Sequence, residues 1–485
     1  MIYRTTGFIF QAQALEYTGK LTASIANYQK QISSGMRIHR PSDDPVAFRQ
    51  AASLTARIDA LTADSYAVQD AQSKLNASVS QLSEANRLLT RAKTLAQQGV
   101  QALDATERNA LAIEVETLLE SLKDITQSSF AGAYLYGGTR TNAPPFAFAE
   151  PMVPGGTLSV QYLGSQQPSR ALVGQSVMID TFVPGQHLFG PLQRSETVLM
   201  GTSGARVGAG TDNLIGRATL QVRHTSTSYE AGSGIAPGTN SPGNDTVIGT
   251  TGKHSVRIVD TSGDGSAGTI SLNGGPPVAF TNADSNLRVS NPSGQQVFVD
   301  MTSITPGFNG TIAITAQGTL SVDDGRTSTA IDFSDSQRVV DSTSGRFVHI
   351  NSMDIVFTGD DYLEFPGTSN AMQALYELVQ DLRGSRNLTN SEYGASLDRR
   401  IGELNDLGSQ ILDTVGRQSA SLASLAQLDI RILDFQLDLR DRLNQVQAAD
   451  ISQAIFQLKT DQTLLEYTYA VTAQVTSLQL INFLR

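Results

Sequence analysis

Apolar residues recur every three or four positions at both ends of the chain. Through the middle they recur every second position, in short runs. Near the N-terminus Leu21, Ile25, Tyr28 and Ile32 are spaced 4, 3 and 4 apart, a heptad-like seam that predicts a helix. Gly35 supplies a helix-stop signal, and Arg40-Pro41 enforces an extended step. In Ser42-Asp43-Asp44-Pro45, Asp44 suits an N-cap and Pro45 suits the first helical position, where a missing N–H costs nothing. A first helix therefore ends near Gly35 and a second begins at Pro45. The second seam runs Leu54, Ile58, Leu61, Ser65, Val68, Gln72, Leu75, Val79, Leu82, Asn86 and Leu89. A helix from Pro45 to about Gly99 is on the order of 80 Å long and needs long partners to cover its stripe. Ser65, Gln72 and Asn86 are polar seam positions, which weaken packing and fix register. Asp104 with Glu107 resembles a capping box. It opens a third helix through Leu111, Val115, Leu118, Leu122 and Ile125 that stops before Gly132.

From about Ala143 to Phe365 glycine, serine, threonine, proline and asparagine dominate, and short alternating runs appear: 157–163, 176–183, 254–260 and 296–304. Turn signals separate them, namely Pro-Gly at 184–185, Asn-Gly at 273–274 and Asp-Gly at 264–265 and 324–325. This predicts one or two small sandwich-like β domains. TISLNGGPPVAF (269–280) and TLSVDDGRTSTAIDF (319–333) read either as a weak internal repeat or as two similar hairpins.

Helical spacing resumes near Ser369 with Met372, Leu375, Tyr376, Val379 and Leu382, and Gly384 ends that face. A long seam follows from Leu397 through Leu404, Gly408, Ile411, Val415, Gln418, Leu425, Asp429, Ile432 and Gln436 to Val446. Gly408 and Gly416 each cost about 1 kcal/mol relative to alanine and argue for a break. The tail from Ile451 to Arg485 is apolar on more than one face, so it has to be buried nearly all round. The fold class that follows is mainly α at both termini, a long coiled-coil rod of paired N- and C-terminal helices with inserted all-β material. The β part then sits at the far tip of the rod.

The two terminal segments are open to two readings. Either they stay loose in the free subunit and fold together on assembly, or they complete the core of a monomeric bundle. A third reading concerns the tail alone. Tyr467 to Leu484 carries no charge and is long enough to span a bilayer. Its Thr468, Thr472, Gln474, Thr476, Ser477, Gln479 and Asn482 are costly in hydrocarbon, so a buried helix is preferred.

Composition narrows the chemistry. The 485 residues carry a net charge of −11, which argues against a nucleic-acid footprint and against an anionic membrane surface. There is no cysteine, so disulfides and thiolate sites are excluded. No two of His39, His187, His224, His254 and His349 lie at ligand spacing. No cofactor, metal or catalytic set is expected. Asp43-Asp44 reads as helix capping rather than an acid–base pair. Asp260 to Gly265 (DTSGDG) reads as a turn, since it lacks the distal glutamate of a calcium loop. The N-terminus lacks the basic region, apolar stretch and small-residue cleavage site of a cleaved signal peptide.

Three segments carry a resemblance. ISSGMRIHRPSDDPVAF, residues 32–48, resembles the N-terminal signature of the flagellin and hook-associated protein 3 family, on Ser34, Gly35, Arg37, Ile38, Pro41, Ser42, Asp43, Asp44 and Pro45. AYLYGGTRTNAPPF, residues 133–146, resembles the hook–filament junction branch more specifically, on Tyr134, Tyr136, Gly137, Gly138, Thr139, Pro145 and Phe146. The tail, with Leu465, Tyr469, Val475, Leu478, Leu480, Ile481, Phe483, Leu484 and Arg485, resembles the flagellin-type C-terminal assembly helix. The likeness covers about residues 1–190 and 367–485.

The resemblance implies a flagellin-like structural subunit without enzyme activity. It would be exported by the flagellar type III route and form a homo-oligomeric ring between hook and filament that templates filament assembly. Its implied partners are further copies of itself, the other junction protein, flagellin and an export chaperone, with no nucleic acid and no membrane span. It would be extracellular, in the flagellum. The expected domains are 1–42 (inner-core helix), 43–142 (rod helices), 143–190 (first β segment), 191–366 (inserted surface β domain), 367–447 (rod helices) and 448–485 (inner-core helix). In similar proteins a segment like 181–190 runs almost directly into the next helix; here Pro191 to Pro366 intervenes. Flagellin itself and a membrane-anchored coiled-coil surface protein remain the alternatives.

Overall fold

The computed structural model describes residues 2–102, 104–149, 157–174, 177–386 and 388–483. Six helices flank the β-rich middle in sequence: α1 (Ile2–Ser34), α2 (Pro45–Gln101), α3 (Ala105–Thr126), α4 (Ala371–Leu382), α5 (Asn390–Gln447) and α6 (Ile451–Phe483). Local chemistry accounts for several ends. Gly35 takes φ +70° just past α1, the left-handed step that glycine adopts without a Cβ penalty. Asp104 caps α3 by accepting from the Glu107 N–H at 2.7 Å. Asn370 and Gln373 cap α4 reciprocally. α2 ends at Gln101, as expected near Gly99, and Gly99 lies at a close approach, where a Cβ would lie 2.4 Å from Leu382 Cδ2. One expectation is corrected. α5 is unbroken across Gly408 and Gly416; a Cβ on Gly408 would lie 3.1 Å from Asn86 Oδ1, so this glycine too keeps two helices close.

The chain divides into two compact units. The first contains Met1–Ser73, Arg170–Ile179 and Ala420–Arg485. Here α1 pairs with α6, with Ser24 Oγ donating to Asp461 Oδ2 at 2.6 Å. The two polar seams meet as well. Ser65 Oγ donates to Asp429 Oδ1 at 2.9 Å, and Gln436 Nε2 donates to Thr62 Oγ1 at 3.2 Å. These matched polar pairs would both be broken by a one-turn slip, so they define the register of α2 against α5.

The second unit contains Lys74–Ser169 and Asp180–Ser419. Its helical core joins Leu82, Leu89 and Leu95 of α2, Val115 and Leu122 of α3, Leu375 and Leu378 of α4, and Leu404 and Ile411 of α5. Gln418 of α5 is a defect: it is 4% exposed, and neither amide atom has a hydrogen-bond partner among the described residues. An unpaired buried amide costs about 1–3 kcal/mol. Gln418→Leu is therefore expected to raise the thermal unfolding midpoint. A lowered midpoint would show that the amide is paired.

The β part of this unit is built on one antiparallel sheet. Its strands are β1 (Val198–Met200), β2 (Gly216–Tyr229), β3 (Gly249–Asp260), β4 (Ala267–Leu272), β5 (Val278–Thr281), β6 (Asn309–Ser321) and β7 (Gly359–Phe365), in the order β5-β4-β3-β6-β2-β7-β1, with Thr329–Ala330 also paired to β6. Two three-stranded sheets complete separate cores. Leu287–Ser290, Gln296–Asp300 and Ala236–Pro237 share one with Val256, Ile258, Ile270 and Ile314. Gln337–Val340, Phe347–Asn351 and Arg206–Val207 share the other with Leu220, Val222 and Leu320. Two sandwich-like cores therefore hang on shared long strands. The proposed repeat is a pair of hairpins whose Asn273-Gly274 and Asp324-Gly325 all take positive φ, the turn conformation that these dipeptides favour.

Candidate functional site

The first motif segment forms an elbow between α1 and α2. Asp44 Oδ1 accepts from the backbone N–H of Ala47 at 3.0 Å and of Val46 at 3.2 Å, capping α2. Asp43 Oδ2 accepts from the N–H of His39 at 2.9 Å and of Arg40 at 2.8 Å, holding the turn. These bonds keep both carboxyls below their ordinary range, Asp43 through the His39 and Arg40 amides and Asp44 through Ala47 first. The sequence did not reveal what the elbow touches. Arg37 N–H donates to the Gln447 carbonyl at 2.7 Å, and Ala449 N–H donates to the Gly35 carbonyl at 2.9 Å. Together they form an antiparallel bridge of Met36 with Ala448, so the α1–α2 and α5–α6 connections are stitched together. Arg37 also reaches Asp44 at 3.4 Å, and Ile38 is buried, while Ser34, Pro41, Ser42 and Pro45 are exposed.

The second motif segment is a packed knot. Tyr136 is fully buried, edge-on to Phe189 at 5.3 Å between ring centres. Its carbonyl accepts from Gly185 N–H at 2.8 Å and from Tyr162 Oη at 3.0 Å. Phe146 fills the other side, against Tyr162 and Phe189. Gly138 has φ +62°, and a Cβ there would sit 2.5 Å from the Gln167 carbonyl oxygen. A Cβ on Gly137 would sit 2.1 Å from the Arg140 carbonyl oxygen. Both glycines are therefore fixed by backbone on more than one side. Thr139 N–H donates to the Gln167 carbonyl at 3.0 Å, Tyr134 N–H to the Thr141 carbonyl at 2.9 Å, and the Pro145 carbonyl accepts from Leu163 N–H at 2.8 Å.

The terminal helices look different from the expected all-round burial. Leu465 and Val475 are half-buried, but Tyr469 is exposed, as are Phe456 (67%) and Tyr467 (65%). α1 exposes Ile9, Phe10, Leu15 and Tyr17. Phe10, Ala14 and Tyr17 face Leu464, Tyr467 and Val471 across an open apolar groove of about 350 Å³. One partner helix covers one stripe, and a helix apolar on several faces needs more than one neighbour. The side chains of Leu478, Leu480, Ile481 and Phe483, and the whole of Leu484 and Arg485, lie outside the described residues. α5 also presents Ile430, Leu433, Phe435 and Leu437 to solvent. Among the described residues no helix is long and apolar enough to cross a membrane.

A charged cluster was missed from sequence. Glu364 on β7, Glu377 and Asp381 on α4, and Glu403 on α5 interleave with Arg217 on β2, Arg386 after α4, and Arg399 and Arg400 on α5. Arg400 Nη1 donates to Glu377 Oε2 at 2.5 Å and also to Glu403. Arg386 Nη1 donates to Glu364 Oε1 at 2.6 Å, Arg399 Nε to Glu364 Oε2 at 2.6 Å, and Arg217 pairs with Asp381. Burial works against ionisation of Glu364 and Asp381, but the surrounding arginines, Arg217 foremost, prevail and hold both carboxyls below their ordinary range. Glu403 goes the other way, raised by burial despite Arg400. No spacing rule marks these residues, which come from four elements. The cluster fastens the sheet to the helices, and its members Arg399 and Glu403 border an open cavity of about 760 Å³ together with Arg194, Glu196 and Asp406. The DTSGDG loop is likewise self-satisfied. The Asp260 carboxylate accepts from Ser262 N–H and Oγ–H and from the N–H groups of Gly263, Gly265 and Gly307. Among the described residues no three His, Asp or Glu side chains converge as a metal site.

Residues 8–141 match the family model of the bacterial flagellin N-terminal helical region, a span that takes in most of α1, all of α2 and α3, and the Tyr136 knot as far as Thr141. No curated protein sequence matches the chain. Among solved structures, Xanthomonas campestris FlgL is 16% identical, covering 81% of this chain and 98% of that one at a TM-score of 0.39. The flagellar junction protein FlgL from Legionella pneumophila is also 16% identical, over 82% and 100%, with a TM-score of 0.40. FliC from Burkholderia pseudomallei is 16% identical over 74% and 99%, with a TM-score of 0.21. What the comparisons show is a flagellin-type N-terminal helical region over residues 8–141.

Proposed function

We propose that the chain is the subunit of the ring that joins hook to filament and templates filament growth. The observation that carries the assembly role is the exposed apolar surface on α1 and α6, which their mutual pairing leaves uncovered. The segment 133–146, with its likeness to junction proteins, favours the ring over the filament itself. Further copies of this chain cover the terminal helices, with the other junction protein on the hook side and flagellin on the filament side. Before export by the type III route a chaperone shields the C-terminal helix. Residues 1–42 and 448–485 form the inner core, 43–142 and 367–447 the rod, and 143–190 and 191–366 the outer β parts. The subunit is extracellular and performs no catalysis.

Two experiments test this. Deleting Thr472 to Arg485 is expected to leave a soluble protein that does not support filaments; normal filaments would remove the tail from the assembly surface. Quantitative mass spectrometry of purified hook–filament complexes is expected to find this chain far below the major filament protein in copy number. Parity with the bulk of the filament would make it a flagellin.

A further inference from the structure

His224 on β2 and His254 on β3 flank the central strand β6. Each stands at an irregularity in pairing. His224 lies opposite Gly318, beside the register shift at Gln317/Gly318, and His254 closes the shift that begins at Gly249. Along this stretch of β6 the packing passes from the core containing Ile312, Ile314 and Ala316 to the core containing Leu320. The histidines therefore mark the waist between the two β cores. Both are buried, at 8% and 6% exposure.

Their partners fix the tautomers. Thr227 Oγ1 donates to Asp245 Oδ2 at 2.5 Å, so its lone pair accepts from His224 Nε2–H at 2.8 Å. His224 Nδ1 is then unprotonated, buried and without a partner. At His254, Asn273 is oriented because its Oδ1 accepts from Ser255 N–H at 2.9 Å. Its Nδ2 donates to His254 Nδ1 at 3.1 Å and to Gln295 Oε1 at 2.7 Å. Gln295 is tied in turn to Asn291. His254 Nδ1 is thus an acceptor, and its buried Nε2 lies where a Cβ on Gly249 would come within 2.4 Å.

A second proton is poorly served on either ring. The Ser226 backbone favours it on His224 and the Ile248 backbone on His254, but His224 Nδ1 and His254 Nε2 make no hydrogen bond in the folded chain, and a proton on His254 Nδ1 would oppose an N–H to the Asn273 amide donor. The charged groups facing the pair are few. Asp245, which follows the turn Ser241–Asn244, favours a charged His224, whereas Lys253, adjacent on β3, disfavours a charged His254. Asn273 and Gln295 from the neighbouring turns are neutral. Burial is the larger influence on both rings and holds them below their ordinary value. The sign follows: the folded waist is fully stable with neutral rings, and stability is lost as pH falls below the unfolded value of about 6.5.

We propose that this pair is an acid-operated catch, in which proton uptake puts an unpaired charge on the buried His224 ring and opposes the Asn273–His254 hydrogen bond, and so loosens the core around Ile258 and Ile314 while the helices stay folded. The catch holds whichever flagellar position the chain occupies.

Hydrogen exchange on the full chain at neutral pH and at about pH 5 tests it. After correction for intrinsic rates, amides in 254–260, 291–296 and 309–316 are expected to lose about tenfold in protection. Amides of α2 and α5 are expected to stay unchanged. The double variant His224→Gln/His254→Gln can make the same hydrogen bonds without titrating, and it is expected to keep its protection at both pH values. Equal loss in the variant, or no local loss in the parent, would overturn the proposal. Should the variant not fold, imidazole NMR titration of the parent decides: rings titrating at about 6.5, like exposed histidines, overturn it, and depressed values accompanied by broadening of these same β amides support it.

Discussion

Replacing Arg400 with alanine is expected to destabilise the second unit by about 3–5 kcal/mol, the range for removing one partner from a buried ion cluster. Arg400 is 1% exposed and is the shared cation of Glu377 and Glu403, with Glu364 at 3.9 Å. Its loss leaves three carboxylates in a site already difficult to solvate. Glu377 keeps Ser369 Oγ at 2.9 Å and Arg217 Nε at 3.4 Å, and Glu364 keeps Arg386 and Arg399. Glu403 keeps only the Gly367 N–H at 2.9 Å, so it is the group expected to take up a proton. Urea denaturation of parent and Arg400→Ala measures the cost. The triple replacement Arg400→Leu, Glu377→Leu and Glu403→Leu is expected to recover much of it, because apolar packing avoids the desolvation of both signs of charge. A single-variant loss below about 1 kcal/mol, the level of a surface pair, would show that water reaches the cluster.

The same cluster sets an acid dependence. Glu364 and Asp381 have folded values below their ordinary 4.5 and 3.8. Their contribution is therefore complete above those values and is lost as pH falls through the depressed folded ones. Glu403, raised by burial, contributes in the opposite direction. Two depressed groups outweigh one raised group, so the unfolding midpoint is expected to fall as the medium is taken below about pH 4.5. This range lies below that of the histidine waist, so the two effects are separable in one titration.

Replacing Tyr136 with alanine is expected to cost about 3–5 kcal/mol, as for other large buried aromatics cut to a methyl group. The ring is completely buried on Phe189 and has little room to relax. The backbone around it is pinned by Gly138 at positive φ and by the bonds from Gly185 and Tyr162 to the Tyr136 carbonyl, so the void persists instead of collapsing. Urea denaturation with an unchanged m-value is the measurement. A cost under about 1 kcal/mol would show that the knot repacks.

The helices were legible because heptad-like spacing is a local signal that survives without knowledge of the partner. Leu21 to Ile32, Leu54 to Leu89 and Leu397 to Val446 all lie on helices, and the cap chemistry at Asp44 and Asp104 located two starts. Gly408 misled because a helix glycine signals either a break or a close neighbour, here Asn86, while Gly416 has no neighbour within 4 Å and nothing in the structure explains it. In the β region the short runs were found, yet the longest strands, Gly216–Tyr229 and Asn309–Ser321, were not singled out. Their threonines, serines and glycines dilute the alternation that buries Leu220, Val222, Ile312 and Ile314. The site was half legible. The motif residues at 34–45 and 134–146 could be named, but the elbow's partner at 447–449 and the eight-member ion cluster depend on contacts between residues far apart in sequence.

The most direct test is immunogold labelling of intact flagella with antibody against residues 191–366. Gold at the single point where hook meets filament is the expected result. Gold along the whole filament would contradict the ring assignment and make the chain a filament subunit, and gold on the cell surface away from flagella would contradict both.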